Sequence, residues 1–283
     1  MVASARATGA FFDLPEDSTA LLCLSPDYIA GKMMLVRALV LGWQLDVMAP
    51  LKNPLEAINK SYDFTAMVPM QVFHSLEHLH RIKKLIIGGG RISAHLEQAL
   101  ESSTTEAFAT FGMTETITHI AARRLATKVY SKKEDRYRVL PGVHVSSDNR
   151  GCLLIDAPKI SVETVRTNDL VTLHSDQEFS WLGRYDSIIN SGGIKVIPEA
   201  VEDKISHLVS NRFFVTGLPD KVLGERVVLI VEATCEEGDL LERLKNETSL
   251  TKYELPKEVF LCPNFVETET KKIQRQKTLD LIF

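Results

Sequence analysis

Two glycine-bearing turns, Gly88-Gly89-Gly90 and Phe111-Gly112-Met113-Thr114-Glu115, carry residue types that can grip a nucleotide. The first follows an apolar run and precedes a helix signal, so backbone there can approach a flat or anionic ligand without side-chain obstruction. In the second, Phe111 offers a stacking face for a base and Gly112 allows close approach. Thr114 offers a hydroxyl to a phosphate, and Glu115 is a hard oxygen ligand suited to magnesium. A lone glycine turn after a parallel strand is common. Two on successive strands are more informative, because both should open at the carboxyl edge of one sheet, where open α/β folds bind ligands. A third turn, Ser191-Gly192-Gly193, leads through Lys195 to Pro198, which opens a helix with Glu199 in its first turn.

The elements that must position these residues follow from apolar periodicity. Strands are expected at Leu21 to Leu24, Leu45 to Ala49, Phe64 to Val68, Lys84 to Ile87 and Ala107 to Thr110. Helices are expected at Tyr28 to Leu41, at Asn53-Pro54 through about Lys60, at Met70 to Arg81 and from Ser93 to Leu100. The Tyr28 helix is apolar around most of its circumference, which predicts a place inside a layered core. The Met70 helix should bury Val72, Phe73, Leu76 and Leu79. Strand and helix alternate, so the first half reads as α/β, a parallel sheet covered on both faces.

From Ile117 to Leu182 the texture changes to short strands and turns, including Val143 to Ser146 and Cys152 to Ile155, a β-rich subdomain. Beyond it lie the β-type run Ser187 to Ile189, a helix at Ala200 to Val209 and strands at Arg212 to Thr216 and Arg226 to Ala233. A helix near Leu240 to Asn246 and a strand at Glu258 to Cys262 complete a small α+β domain of about a hundred residues. The fold class is therefore α/β, a layered sheet with a β-rich subdomain over residues 1–185, followed by an α+β domain over 186–283.

Composition removes several function classes. With 283 residues, 45% hydrophobic and 25% charged, the chain is long enough for two cored domains. A net charge of -4 makes no electrostatic case for nucleic acid or an anionic membrane. Cys23, Cys152, Cys235 and Cys262 are scattered without metal or disulfide spacing, which predicts reduced thiols and a cytoplasmic protein. No apolar run reaches the length of about 18 residues needed to span a bilayer, and no signal segment opens the chain.

The pattern G-R-x-D-x-x-I-x-x-x-G-x-K-V-x-P-x-x-V-E from Gly183 to Glu202 resembles the hinge motif of the acyl-adenylate-forming superfamily, which contains acyl- and aryl-CoA ligases. The resemblance implies that Asp186 is the hinge between a large adenylate-binding domain and a small mobile one. It also implies that Ser191, Gly192, Gly193 and Lys195 line a tunnel for the thiol of coenzyme A. Phe111 to Glu115 resembles the superfamily's Y-G-x-T-E, with phenylalanine for tyrosine. Thr167-Asn168-Asp169 resembles its T-G-D, whose aspartate grips the ribose hydroxyls, and Arg184 would join Asp169 there.

Thr268 to Arg275 resembles T-x-x-G-K-I-x-R, which places Lys272 on the catalytic lysine that bridges the substrate carboxylate and the α-phosphate. The family's glycine in that motif is Lys271 here. Tyr28 falls where the family brings an aromatic residue to the acyl pocket. Thr118 and His119 could face the acyl group, although a strand histidine is more often structural.

Within the superfamily, the wording D-Y-I-A-G-K, Y-D-F-T-A-M-V-P and F-G-M-T-E-T-I-T-H-I-A is most similar to the o-succinylbenzoate-CoA ligases of menaquinone biosynthesis. That likeness implies ATP and AMP, Mg2+ and coenzyme A as cofactors, a small-molecule acid as substrate, and neither a nucleic-acid nor a membrane partner. The family's glycine-rich phosphate loop is not found, and Thr8-Gly9 is its only local echo, so the chain reads as an adenylating enzyme without that N-terminal region. Another acyl- or aryl-CoA ligase, or a nucleotide-binding chain inactive in adenylation, remain open alternatives.

Overall fold

Short apolar runs flanked by glycine- and serine-bearing turns become strands, and the longer amphipathic stretches between them become helices that close over both faces of a sheet. The structure is a computed structural model, and it describes residues 1–130, 132, 134–235, 238–268 and 272–283. The chain divides into two compact units, Met1–Thr167 with Val171–Trp181, and Asn168–Leu170 with Leu182–Phe283.

The first unit opens with α1 (Val2–Phe11), β1 (Thr19–Leu22), α2 (Ile29–Leu41), β2 (Gln44–Val47) and β3 (Tyr62–Met67). α3 (Pro69–His74), β4 (Ile82–Ile87), α4 (Ala94–Leu100) and β5 (Glu106–Gly112) follow. The strands β2-β1-β3-β4-β5 lie side by side and parallel, as alternation predicted. The Ser93 hydroxyl accepts the Leu96 N–H and caps α4, a contact worth about 1 kcal/mol.

One core packs Leu21, Leu55, Leu79, Leu85, Ile87 and Leu96 together. A second packs Phe12, Leu22, Met34, Phe64, Ile86 and Phe108. Adjacent β4 residues Leu85 and Ile86 thus belong to different cores, as the two-residue period of a strand buried on both faces requires.

β6 (His119–Arg124), β7 (Tyr137–Val139), β8 (His144–Ser147), β9 (Cys152–Asp156), β10 (Val165–Leu173) and β11 (Glu178–Arg184) supply the β-rich stretch. They continue the same sheet, in the order β6-β7-β11-β10-β9-β8, to eleven strands. The change to antiparallel pairing comes at β5–β6, where the chain reverses in a tight turn.

The second unit contains β12 (Ile189–Ser191), β13 (Ile194–Val196), α5 (Pro198–Ile205), β14 (Phe213–Asp220), β15 (Gly224–Glu232), α6 (Leu240–Lys245), β16 (Glu258–Cys262) and α7 (Arg275–Leu279). Its sheet runs β13-β12-β15-β14, with β16 parallel on β15. One face packs Val201, Ile205, Val215, Leu229 and Leu244, and the other packs Phe214, Val228, Ile230 and Phe265.

Four local expectations fail for identifiable reasons. No helix forms from Asn53 to Lys60: the Asn53 side chain accepts from Ser75, and the Leu55 and Ile58 carbonyls accept from Arg81, which leaves a turn over 54–57. The expected Met70–Arg81 helix breaks at Ser75 into α3 and a 3-10 helix, Leu76–Arg81. Val72 and Leu79 are buried while Phe73 is exposed, because one residue past Val72 it sits about 100° further round α3, off the face that carries buried Gln71 and Val72. α2 is not enclosed: Met33, Met34 and Ala38 pack inward, whereas Leu39 is 85% exposed. Ser187 lies in a 3-10 turn, Tyr185–Ser187, because its hydroxyl bonds the Arg184 carbonyl and Glu199 rather than entering a strand.

Candidate functional site

β4 and β5 place the first two glycine turns next to each other. Ile87 pairs with Ala109, and the Thr110 hydroxyl donates to the Ile87 carbonyl at 3.0 Å. Gly88 to Gly90 therefore leave β4 beside the point where Phe111 to Glu115 leave β5, both at carboxyl ends. A Cβ on Gly88 would lie 2.6 Å from the Thr110 hydroxyl, so a side chain at position 88 requires movement.

The β5–β6 turn is built from its own side chains. The buried Thr116 hydroxyl accepts the Met113 N–H at 3.1 Å, and the Thr116 carbonyl takes the Thr118 N–H at 2.7 Å across Ile117. That i to i+2 bond makes a γ-turn with Ile117 at φ 66° and ψ -53°, a strained conformation for a β-branched residue. Thr114 and Glu115 stand exposed on the 3-10 turn held this way.

Gly112 has an additional cause: a Cβ there would meet the His119 Cα and the Thr118 carbonyl oxygen at 2.5 Å. Its close approach is to the β6 backbone. Phe111 is half-buried, with its ring 5.2 Å from Phe179 and 5.9 Å from Tyr137, edge to face in both cases. The aromatic cluster fixes the ring that the sequence offers to a base.

In the second unit, Asp169 is 6% exposed, and its carboxylate lies 4.0 Å from the Arg184 guanidinium. Arg184 also holds Asp186 through two bonds, Nε at 3.0 Å and Nη2 at 2.9 Å. This fork keeps the Asp186 carboxyl below its ordinary range, hydrogen bonding outweighing the opposing effect of burial. Gly192 (φ 60°) and Gly193 (φ 81°) form a two-residue hairpin between β12 and β13, with Ser191 opposite Ile194. Positive φ at both central positions is what such a hairpin needs, and Lys195 follows it exposed.

Lys272 is exposed, Thr268 N–H donates to its carbonyl at 2.9 Å, and its own N–H donates to the Thr268 hydroxyl at 3.1 Å. Among the described residues no side chain pairs with its ammonium. Lys271, which stands at the glycine position of the motif, lies outside the described residues, as does its Glu269-Thr270 part. Tyr28 is the exposed N-cap residue of α2.

The largest fully buried side chain among the described residues is one that sequence reasoning passed over. Arg37, midway along α2, donates from Nη2 to the Thr118 hydroxyl at 3.3 Å and lies 3.4 Å from His119 Nδ1. Thr8 Oγ1 and Met34 Sδ are its other side-chain partners, and no carboxylate among the described residues pairs with it. Burial pulls its guanidinium down to about 10. The same burial, with Arg37 alongside, drives His119 well below the usual imidazole range, so it is neutral and can accept from Arg37. His119 Nε2 is buried with no partner among the described residues. An arginine inside an apolar helix, with no acid three or four residues away, was the available signal.

As for metal, Glu115 presents one exposed carboxylate, and no group of three or more His, Cys, Asp or Glu side chains among the described residues could form a cage. That donor set fits magnesium only in the manner usual for it, with one protein carboxylate plus ligand phosphates and waters. All four cysteines are free, and no helix among the described residues is long and apolar enough to cross a membrane.

No family model matches the chain. An acyl-CoA synthetase (AMP-forming)/AMP-acid ligase II-like protein from Dyadobacter fermentans is 34% identical and superposes with a TM-score of 0.64, over 100% of this chain and 83% of that one. A 2-succinylbenzoate–CoA ligase from Listeria monocytogenes is 26% identical over 223 residues, 72% of this chain and 47% of the relative. The O-succinylbenzoate coenzyme A synthetase of Bacillus subtilis, in complex with ATP and magnesium ion, shares the fold at a TM-score of 0.82 and 20% identity, over 98% of this chain and 65% of that one. The chain spans about half to two thirds of the length of the curated relatives it matches.

Proposed function

We propose, for a chain that belongs to the AMP-forming acyl-CoA synthetase and AMP-acid ligase family, that it activates o-succinylbenzoate as an acyl-adenylate and passes the acyl group to coenzyme A. First, a substrate carboxylate oxygen attacks the α-phosphorus of ATP and pyrophosphate leaves. Then the thiol of coenzyme A loses its proton and its sulfur attacks the acyl carbon, releasing AMP. No side chain needs to be a nucleophile. The protein's work is positioning and electrostatics.

The observation that carries this reading is the pair of turns at the carboxyl ends of β4 and β5, where open α/β sheets hold their ligands. In this reading Gly88 to Gly90 and Phe111 to Met113 border the adenine, and Thr114 serves the phosphates. Glu115 would hold a magnesium ion, which would supply positive charge to neutralise the phosphates. Asp169 accepts from the ribose hydroxyls, with Arg184 beside it. Lys272 places a point charge between the acid and the α-phosphate. The Gly192-Gly193 hairpin, with Ser191 and Lys195, lines the route of the thiol after rotation at Asp186, and Tyr28 borders the acyl group.

Arg37 supports an acid with a second carboxylate. A buried guanidinium whose partners are all neutral gains most from an anion, and its Thr118 partner lies three residues past Glu115. o-Succinylbenzoate has two carboxylates, so one can react while the other remains available to a cation. The 2-succinylbenzoate–CoA ligase names of the relatives point to the same acid.

The experiment is to give the purified chain preformed o-succinylbenzoyl-adenylate and coenzyme A and to follow thioester and AMP. Thioester is the expected product. Thioester from benzoyl-adenylate at an equal rate would remove the dicarboxylate assignment. AMP binding with no thioester from any adenylate would leave the nucleotide-binding reading in place of the ligase.

A further inference from the structure

Arg275 is quoted in the lysine motif but has no part in the reaction as described. Its guanidinium nevertheless sits in a dense ionic contact. Nη2 is 2.9 Å from Glu202 and Nη1 is 3.4 Å from Glu199, and Nη1 also donates to the Val215 carbonyl at 3.3 Å. Its Cζ lies 5.6 Å from the Phe214 ring centroid. Both acids are almost fully buried, with side chains 7% exposed for Glu199 and 2% for Glu202. Carboxylates this deep require paired charge and hydrogen bonds.

Each acid also holds a second element. Glu202 accepts the Val215 N–H at 2.9 Å, which ties α5 to β14. Glu199 accepts the Ser187 hydroxyl at 3.0 Å and the Arg184 backbone N–H at 3.4 Å, so it holds a residue on either side of Asp186. A Cβ on Gly183 would lie 2.6 Å from the same Glu199 carboxylate. At the other end, Arg275 stands three residues after Lys272, joined to it through the Ile273–Glu267 bridge and the Gln274 N–H bond to the Val266 carbonyl. An unbroken chain of contacts therefore runs from residues 184–187 through Glu199 to Arg275 and the lysine segment.

We propose that Arg275 is a positioning residue, which locks the Lys272 segment to the residues flanking Asp186 so that the lysine ammonium is presented as a fixed charge during adenylation. The proposal rests on Lys272 being the catalytic lysine. Arg275 itself touches no substrate. Its planar fork engages two carboxylates at once, which a lysine at the same position cannot reproduce.

The test is a double-mutant cycle in the full chain, reading pyrophosphate release from ATP and o-succinylbenzoate, thioester formation from preformed adenylate, and AMP affinity. Arg275→Met is expected to slow adenylation about tenfold or more. Thioester formation and AMP affinity should stay within about twofold of the parent. In a Lys272→Ala background, Arg275→Met should cost nothing further, because it acts only through the lysine. Arg275→Lys, which keeps the charge, should fold normally and show a partial form of the same selective loss. It replaces Arg275→Met in the cycle if the latter does not fold.

Additive losses in the cycle, or equal losses in both half-reactions, would overturn the positioning role and leave the lysine assignment standing. Unchanged adenylation in Lys272→Ala would overturn the lysine assignment and this role with it. No pyrophosphate release by the parent chain would instead overturn the proposed adenylation.

Discussion

Replacing Arg37 with methionine separates the cost of a buried charge from its use. In the folded chain burial pulls the guanidinium from its ordinary range down to about 10, on the order of 3 kcal/mol working against the charged form. Because the folded value lies below the unfolded one, this cost is fully present below pH 10. It is relieved only as pH rises from about 10 toward the ordinary guanidinium range. At neutral pH, Arg37→Met removes it and also removes hydrogen bonds to Thr8, Thr118 and His119, at about 1 kcal/mol each. The two effects nearly cancel, so the ligand-free thermal midpoint should move by only a few degrees.

Ligand binding should behave differently. A carboxylate that pairs with Arg37 in the parent would find no counter-charge in the variant, a loss of about 3 kcal/mol, on the order of a hundredfold in affinity. Thermal melts with o-succinylbenzoate plus AMP, set beside benzoate plus AMP, provide the assay. The parent should be stabilised more by the dicarboxylate, and the variant should lose that difference. Equal stabilisation of both proteins by o-succinylbenzoate would refute the reasoning. A fall in the ligand-free midpoint of more than about ten degrees would show that Arg37 is structural.

If Asp169 accepts both sugar hydroxyls as proposed, Asp169→Ala should weaken AMP about ten- to hundredfold by calorimetry, while deoxyadenosine monophosphates should be less affected. Gly193→Leu has open space for its side chain but φ of 81°, so it should lower stability by about 1–2 kcal/mol. It should also suppress thioester formation more than adenylate formation, and normal thioester rates would remove the hairpin from the thiol route. A thiol reagent at pH 7.5 should label Cys235, the exposed cysteine, in the native protein. Cys23, pushed up to about 11 by burial, should react only after denaturation; rapid native labelling of Cys23 would contradict its burial.

Much of the scaffold is legible in residue types and spacing because the interactions that build it are local. The parallel order of β1 to β5 follows from alternation, the Ser93 cap from one hydroxyl before an apolar period, and the Gly192-Gly193 hairpin from two residues that accept positive φ. Local propensity misleads where a distant side chain takes the backbone groups it was counting on. Arg81 does so for Leu55 and Ile58, and Ser75 takes the Asn53 oxygen that would have capped a helix.

The candidate site divides along the same line. Spacing alone selects the turns at Gly88 and Phe111 as neighbours, and the hinge-like motif selects Arg184, Asp186 and Lys195. Only the tertiary structure sets Asp169 4.0 Å from Arg184 and joins Arg275 to Glu199 and Glu202 from more than seventy residues away. It also encloses Arg37 against Thr118 and His119. Sequence determines which strands and turns form because hydrogen bonding and apolar period act over a few residues. Burial and charge pairing depend on what packs from elsewhere in the chain, so the buried cation and the ionic lock exist only once the fold has closed around them.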